Sequence, residues 1–251
     1  MKSLEITTDV ELSNRMKEVF RTLRTNLEFS GVENRAIAVT SCTPNDGKST
    51  VSYNLAMMLA ERGKNTLYVD ADLRKSVLVQ RLGIKGNPEG LSHYLSGQTS
   101  LQDVIYTTQK QGLYILPAGV FPSNPTELLA NGKFSVLLES AKKVFDYIIV
   151  DTPPLASVID AAVIAKECDA SMLVLASGIA SRNMARSVIS QLKLSNPNFL
   201  GVVLNKVEIK QGAYYSGKGY GGYYGSYYGY YGSYYGAEET SSKKVSDDIE
   251  L

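Results

Sequence analysis

Ser41-Cys42-Thr43-Pro44-Asn45-Asp46-Gly47-Lys48-Ser49-Thr50 is the stretch from which the rest of the chain can be read. It follows the apolar run Ala36–Ser41 and opens the amphipathic stretch Lys48–Arg62. Strand, loop, GKST and helix in that order are the context of a phosphate-binding loop. Gly47 lets the backbone turn so that successive N–H groups face one point, and a helix N-terminus adds favourable partial charge there. Lys48 supplies a point charge for phosphate, and the Ser49 hydroxyl is a ligand for Mg²⁺. The expected phosphate cradle is Asn45, Asp46, Gly47, Lys48, Ser49 and Thr50. Cys42 stands where the common pattern has its first glycine.

Outward from this loop, short apolar runs alternate with helical patterns. Strands are expected at Ala36–Ser41, Thr66–Asp70, Leu113–Pro117, Tyr147–Asp151, Ser171–Ala176 and Leu200–Asn205. Helices are expected at Lys48–Arg62, Thr126–Lys143, Ser157–Lys166 and Ser181–Leu194, with another at about 10–29. Strands that are apolar throughout belong to a parallel sheet covered on both faces. The predicted class is therefore α/β: a P-loop NTPase-type, mostly parallel sheet with helices on both faces. Two further strand ends carry acids. Leu67-Tyr68-Val69-Asp70-Ala71-Asp72-Leu73-Arg74 places two carboxylates and a guanidinium just past one strand, and Ile148-Ile149-Val150-Asp151-Thr152-Pro153-Pro154 places Asp151 at the end of another. In such sheets the C-terminal strand ends line the ligand crevice.

Composition narrows the function. Lys+Arg 26 against Asp+Glu 25 gives a net charge of +1, which supplies no global field for nucleic acid or an anionic membrane. Two Cys, Cys42 and Cys168, build neither a disulfide framework nor a cysteine metal site, and a single His, His93, excludes His-based metal clusters. Cys42 is read as either a redox-sensitive loop residue or a small packed one, the second being commoner. His93 is read as a partly exposed helix or turn residue. The N-terminus lacks the apolar core of a signal peptide, and no apolar stretch approaches the roughly 20 residues of a membrane span. The remaining oddity is seventeen Tyr with no Trp. Eleven of them, Tyr214, Tyr215, Tyr220, Tyr223, Tyr224, Tyr227, Tyr228, Tyr230, Tyr231, Tyr234 and Tyr235, share 25 residues with nine Gly. Nothing aliphatic larger than Ala accompanies them, so no core can form. The chain divides into a domain at 1–210 and a flexible Tyr/Gly-rich tail at 211–251.

The motifs SCTPNDGKST, LYVDADLR and IIVDTPP, in this order, resemble those of the bacterial tyrosine kinases, specifically the separate cytoplasmic CpsD type of capsule and exopolysaccharide systems. Glu18-Val19-Phe20-Arg21-Thr22-Leu23-Arg24 is similar to the family's ExxRxxR helix, and Asn124-Pro125-Thr126-Glu127-Leu128-Leu129 to its NPxELL stretch. The resemblance covers about Glu18 to Tyr235. It implies an ATP- and Mg²⁺-dependent protein-tyrosine kinase that phosphorylates its own C-terminal tyrosines between subunits and regulates capsular or exopolysaccharide synthesis and export. It also implies a homo-oligomeric ring with Glu18, Arg21 and Arg24 at the subunit contact. From spacing alone those three are an ordinary solvated helix face. The implied partners are a separate membrane-spanning polysaccharide co-polymerase that activates the kinase and a tyrosine phosphatase, with no nucleic acid. The implied location is cytoplasmic, peripheral at the inner face of the membrane through that partner.

Within that reading, Lys48, Asp70, Asp72 and Asp151 form the catalytic set. Ser49, Asp72 and Asp151 are the metal-side groups, and Asp70 orients or deprotonates the incoming Tyr. Arg74 either contacts phosphates or forms a structural ion pair, and Asn205 sits near the adenine by family analogy. The alternative reading is a membrane-recruited partitioning-type ATPase that switches a partner by nucleotide state. That group carries an extra Lys early in its loop where this chain has Thr43 or Pro44. A module that only self-associates through its Tyr/Gly tail leaves the phosphate loop without a role.

Overall fold

The computed structural model describes residues 2–8 and 12–208. The eleven tail tyrosines lie outside these residues. Eight strands form one sheet in the order β1-β4-β5-β3-β6-β2-β7-β8. They are β1 (Lys2–Ser3), β2 (Ala36–Ser41), β3 (Thr66–Asp70), β4 (Tyr106–Thr107), β5 (Leu113–Leu116), β6 (Tyr147–Asp151), β7 (Ala170–Ala176) and β8 (Phe199–Asn205). All neighbours are parallel except β4 and β5. The six expected strands are present within a residue or so at each end. The two-residue strands β1 and β4 are additions at the sheet edge, too short to leave a pattern in the sequence. β5 stops before Pro117, which has no N–H to give.

The long helices are α1 (Asn14–Glu28), α2 (Lys48–Glu61), α7 (Lys133–Ala141), α8 (Asp160–Glu167) and α9 (Arg182–Ser195). Four short ones are α3 (Leu78–Arg81), α4 (Leu91–Leu95), α5 (Leu101–Val104) and α6 (Pro125–Leu129). Helix α1 starts later than the apolar pattern suggests because Ser13 caps it, its hydroxyl accepting from the Met16 amide at 3.3 Å. The single helix expected over Thr126–Lys143 is two. Gly132 takes a left-handed φ of 79° and Asn131 Oδ1 accepts from the Lys133 amide at 3.0 Å, so α6 ends and α7 starts anew.

Two buried clusters lie on the two faces of the sheet. Helix α2 is buried at every residue from Val51 to Ala60 because the sheet covers one side and α1 packs on the other. That explains a helix with no polar face: it is the middle layer. The burial fixes the N-terminus of α2, and so the phosphate loop, against the sheet.

Candidate active site

The order β3-β6-β2 brings three acidic or loop-bearing strand ends side by side. In register, Asp151 lies opposite Asp70 on one side and Val39 on the other, two residues before the loop begins at Ser41. Thr152 anchors the turn after β6 by donating from its amide and its hydroxyl to the Val39 carbonyl, both at 3.0 Å. Thr40 Oγ1 donates to the Pro153 carbonyl at 2.9 Å, and the Leu155 amide to the Ser41 carbonyl at 2.9 Å. The DTPP motif is thus tied to the strand that leads into the loop.

The loop is closed from within and clamped from outside. The buried Asp46 carboxylate accepts from the Thr43 amide at 2.8 Å and the Thr43 hydroxyl at 3.0 Å. From the end of β8, Asn205 Nδ2 donates to the Asp46 carbonyl at 2.9 Å, and Lys206 Nζ to the Asn45 carbonyl at 2.7 Å. Asn45 has a φ of 68° and Gly47 one of 95°. A Cβ at position 47 would overlap the Asn205 amide, so only glycine fits there. Cys42 is fully buried and its thiol is pushed up to about 11 by burial and then by Asp46, which fits the packed reading of that residue.

Lys48 projects into a group of carboxylates. Its Nζ lies 3.3 Å from Asp72 Oδ2 and 3.3 Å from Ser49 Oγ. Burial pulls the ammonium down, but the charges of Asp151, Asp72 and Asp70 outweigh it and hold Lys48 above its ordinary value. Asp72 also caps its own turn, accepting from the Lys75 amide at 3.0 Å and the Arg74 amide at 3.3 Å. Asp70 is pushed up to about 7, first by burial and then by the Asp151 charge, against a Ser76 hydroxyl that donates to it. Asp151 is raised too, by burial, although Lys48, Ser49 and Tyr68 all favour its charged form. Three buried carboxylates therefore face one lysine.

The motifs assign no role to two residues of this centre, Tyr68, which lies inside LYVDADLR, and Asp160, which lies outside all three. Tyr68, in the interior of β3, donates its hydroxyl to Asp151 Oδ2 at 3.0 Å; burial and the neighbouring carboxylates keep the phenol protonated. Asp160, at the start of α8, is fully buried and takes both arms of Arg74, Nε at 2.6 Å and Nη2 at 3.1 Å, together with the Thr126 hydroxyl at 2.6 Å. Burial raises Asp160, but the Arg74 and Thr126 bonds win and its pKa lies below the ordinary carboxylate value. Of the two readings of Arg74, the ion pair is the one formed here, and the NPTELL stretch contributes Thr126 to it. The ExxRxxR residues divide. Glu18 and Arg21 pair at 2.9 Å on the exposed side of α1, whereas Arg24 turns inward and donates to the Met58 carbonyl of α2 at 3.4 Å. His93 caps α4, its Nδ1 accepting from the Gly90 amide at 3.1 Å.

The donor set suits Mg²⁺. Among the described residues no three His, Cys, Asp or Glu side chains converge as an all-protein cage. Mg²⁺ needs none, because one or two carboxylates and substrate phosphates complete its shell. Asp151 Oδ1 is buried without a hydrogen-bond partner, a hard oxygen with capacity to spare, in a cluster that holds Ser49 and Lys48.

A family model described as an AAA domain matches residues 34–195. The chain is 42% identical over 222 residues to the tyrosine-protein kinase CpsD of Streptococcus agalactiae, across 88% of this chain and 97% of that protein. Among solved structures it superposes on the kinase domain of the Escherichia coli tyrosine kinase ETK with a TM-score of 0.76 and 34% identity, covering 85% of this chain and 87% of that one. The septum site-determining protein MinD of Pyrococcus horikoshii, solved with Mg-ADP, superposes less closely, with a TM-score of 0.59 and 30% identity over 68% of this chain and 69% of that one. The chain belongs to the bacterial tyrosine kinases of the CpsD type and is a tyrosine-protein kinase.

Proposed function

We propose that the protein transfers phosphate from ATP to the tyrosines of its own C-terminal cluster, one subunit serving another, and that this controls capsular or exopolysaccharide synthesis and export. The observation that supports it most is the facing of one lysine and three buried carboxylates at the mouth of the phosphate loop. Phosphoryl transfer depends mainly on positioning and on neutralising charge. The amides of Asp46–Thr50 and Lys48 hold the phosphates, Asn45 completes the loop, and Asn205 with Lys206 keeps that loop in shape beside the base. Ser49, Asp72 and Asp151 would hold Mg²⁺ directly or through water, and the bound ion would supply neutralisation of phosphate charge. Lys48 already rests on Asp72, so nucleotide exchanges one anionic partner of that lysine for another. Asp70, with a pKa of about 7, suits an acceptor that orients or takes the proton of an incoming phenol near neutral pH. A free phenol has a pKa of about 10, so orientation is the larger share of that role. Arg74 acts through Asp160, fixing the turn that carries Asp72.

Each phosphate adds about −1.5 to −2 charges at pH 7, so a nearly neutral tail becomes strongly anionic and repels its neighbours. The exposed Glu18 and Arg21 fit a contact between subunits in a ring, and Arg24 supports that helix from behind. Among the described residues no helix is long and apolar enough to cross a membrane, so location at the inner face of the membrane would come through a membrane-spanning co-polymerase that also activates the kinase. A tyrosine phosphatase would reset the tail. Mixing a Lys48→Met full-length chain with an active chain truncated after Lys210, in Mg-ATP, tests the reading. Phosphotyrosine on the full-length variant is expected. ATP hydrolysis without any labelling would instead favour the partitioning-type switch.

A further inference from the structure

We propose that Tyr68 is a positioning residue for phosphoryl transfer: its hydroxyl occupies Asp151 Oδ2 and turns Oδ1 toward the metal side of the site. The inference rests on the reading of Asp151 as a metal-side carboxylate. Tyr68 lies in the interior of β3, opposite Ile149 and so two residues short of Asp151 along the neighbouring strand. Two strand residues span about 6.6 Å, which a phenol ring with its hydroxyl can cross and which a bare phenyl ring leaves short of the oxygen. The ring is fully buried and packs edge-on against Tyr53 of α2, with centroids 5.8 Å apart at 80°, so its direction along the sheet is set by packing.

Packing alone would be served as well by Phe. A hydroxyl in such a place is costly unless it is bonded. Here it is bonded, at 3.0 Å, to a carboxylate whose second oxygen is buried and has no hydrogen-bond partner. One oxygen of Asp151 is held and the other left open. That is the division of labour found where a neighbouring donor holds one oxygen of a carboxylate whose other oxygen binds metal.

The test is calorimetric titration of ADP into the nucleotide-free full chain, in EDTA and in Mg²⁺. The quantity read is the factor by which Mg²⁺ strengthens ADP binding. Tyr68→Phe should reduce that factor by about tenfold or more while leaving ADP affinity in EDTA unchanged. Asp151→Asn is run beside it. If Asp151→Asn keeps the wild-type factor, the metal-side reading of Asp151 fails. If Asp151→Asn loses it and Tyr68→Phe does not, the role of Tyr68 is overturned while that of Asp151 stands. Equal weakening by Tyr68→Phe with and without Mg²⁺ marks a merely structural residue and also overturns the proposal. Should the variant not fold, the wild-type chain decides. Its Tyr68 hydroxyl proton, buried and hydrogen-bonded to Asp151, is expected to give an exchange-protected NMR signal that persists when Mg-ADP is added, and the absence or loss of that signal would overturn the proposal.

Discussion

At the N-terminal end of the sheet, Asp169 accepts from the Ala36 amide at 2.8 Å, the Arg35 amide at 3.2 Å and Lys142 Nζ at 2.6 Å. Nearby, Asp146 accepts from the Asn65 amide at 2.8 Å, and Arg35 spends its guanidinium on the carbonyls of Lys142, Phe145 and Asp146. At the C-terminal end, Asp70, Asp72 and Asp151 are all buried around Lys48, and one oxygen of Asp151 has no hydrogen bond. Both ends mix acids with basic groups near buried backbone. At the first, acid, base and backbone satisfy one another, and the charges staple strand starts together. At the second, the acids outnumber the base and burial raises Asp70 and Asp151. Charge left uncompensated in a folded chain is kept for something that binds.

The sharpest way to break this contrast is to remove the cation from the crowded end. Lys48→Met should lower tail phosphorylation by a hundredfold to a thousandfold, the range seen when one group that stabilises developing charge is lost. Anti-phosphotyrosine blotting against time in Mg-ATP measures it. Labelling at the wild-type rate would remove Lys48 from the reaction.

Next in size is Asp70. Its folded pKa of about 7 lies above the ordinary 3.8, so the folded chain holds this proton more tightly than the unfolded one. The stability tied to that proton is present below pH 4 and is lost as pH rises toward about 7, after which it stays lost. Asp70→Asn, which can still accept from Ser76, should therefore stabilise the metal-free chain at pH 8 by roughly 2–4 kcal/mol, with the gain shrinking as pH falls from 7 to 4. The same substitution should slow phosphorylation and remove the fall in rate on the acid side of about pH 7. Urea unfolding at several pH values and a pH–rate profile check the two halves separately. Opposite signs for stability and activity are what the contrast between the two ends requires.

The Arg74–Asp160 pair lies beside the crowded end but is built like the other one, and its two halves should fail unequally. Asp160 is buried, while the Arg74 side chain is 39% exposed. Arg74→Ala leaves a buried carboxylate with Thr126 as its one remaining side-chain donor among those described. Discounted for solvent screening of the guanidinium, it should cost about 2–3 kcal/mol in urea unfolding. Asp160→Ala leaves a guanidinium that can turn to water and should cost about 1 kcal/mol. Equal costs would mean that Asp160 is not buried in the working state.

How much of this was legible beforehand follows the reach of the interactions. The six long strands and the loop were readable because apolar runs and GKST are local patterns. The break at Gly132 was missed because an apolar spacing ran across it, and the left-handed turn won over the period. Asp70, Asp72 and Asp151 were visible as acids at strand ends, but their crowding depends on β6 lying between β2 and β3, which no local pattern states. The roles of Tyr68 and Asp160 were illegible for the same reason. Each is an ordinary residue inside an element, and its role is created by a partner 83 and 86 residues away.

The smallest expected effect tests the satisfied end. Lys142 Nζ contacts Asp169 at 2.6 Å, a shorter distance than any made by Lys48, and also reaches Glu139 at 3.3 Å. Contact length alone would rank it as the more important lysine. The environment argues otherwise. Without Lys142, Asp169 keeps two backbone donors, so its charge is not stranded. Lys142→Ala should therefore cost less than about 1 kcal/mol in urea unfolding and leave phosphorylation unchanged. A loss comparable to that of Arg74→Ala would show that the staple at the strand starts depends on the ion pair, and that the two ends of the sheet differ less than their hydrogen bonds suggest.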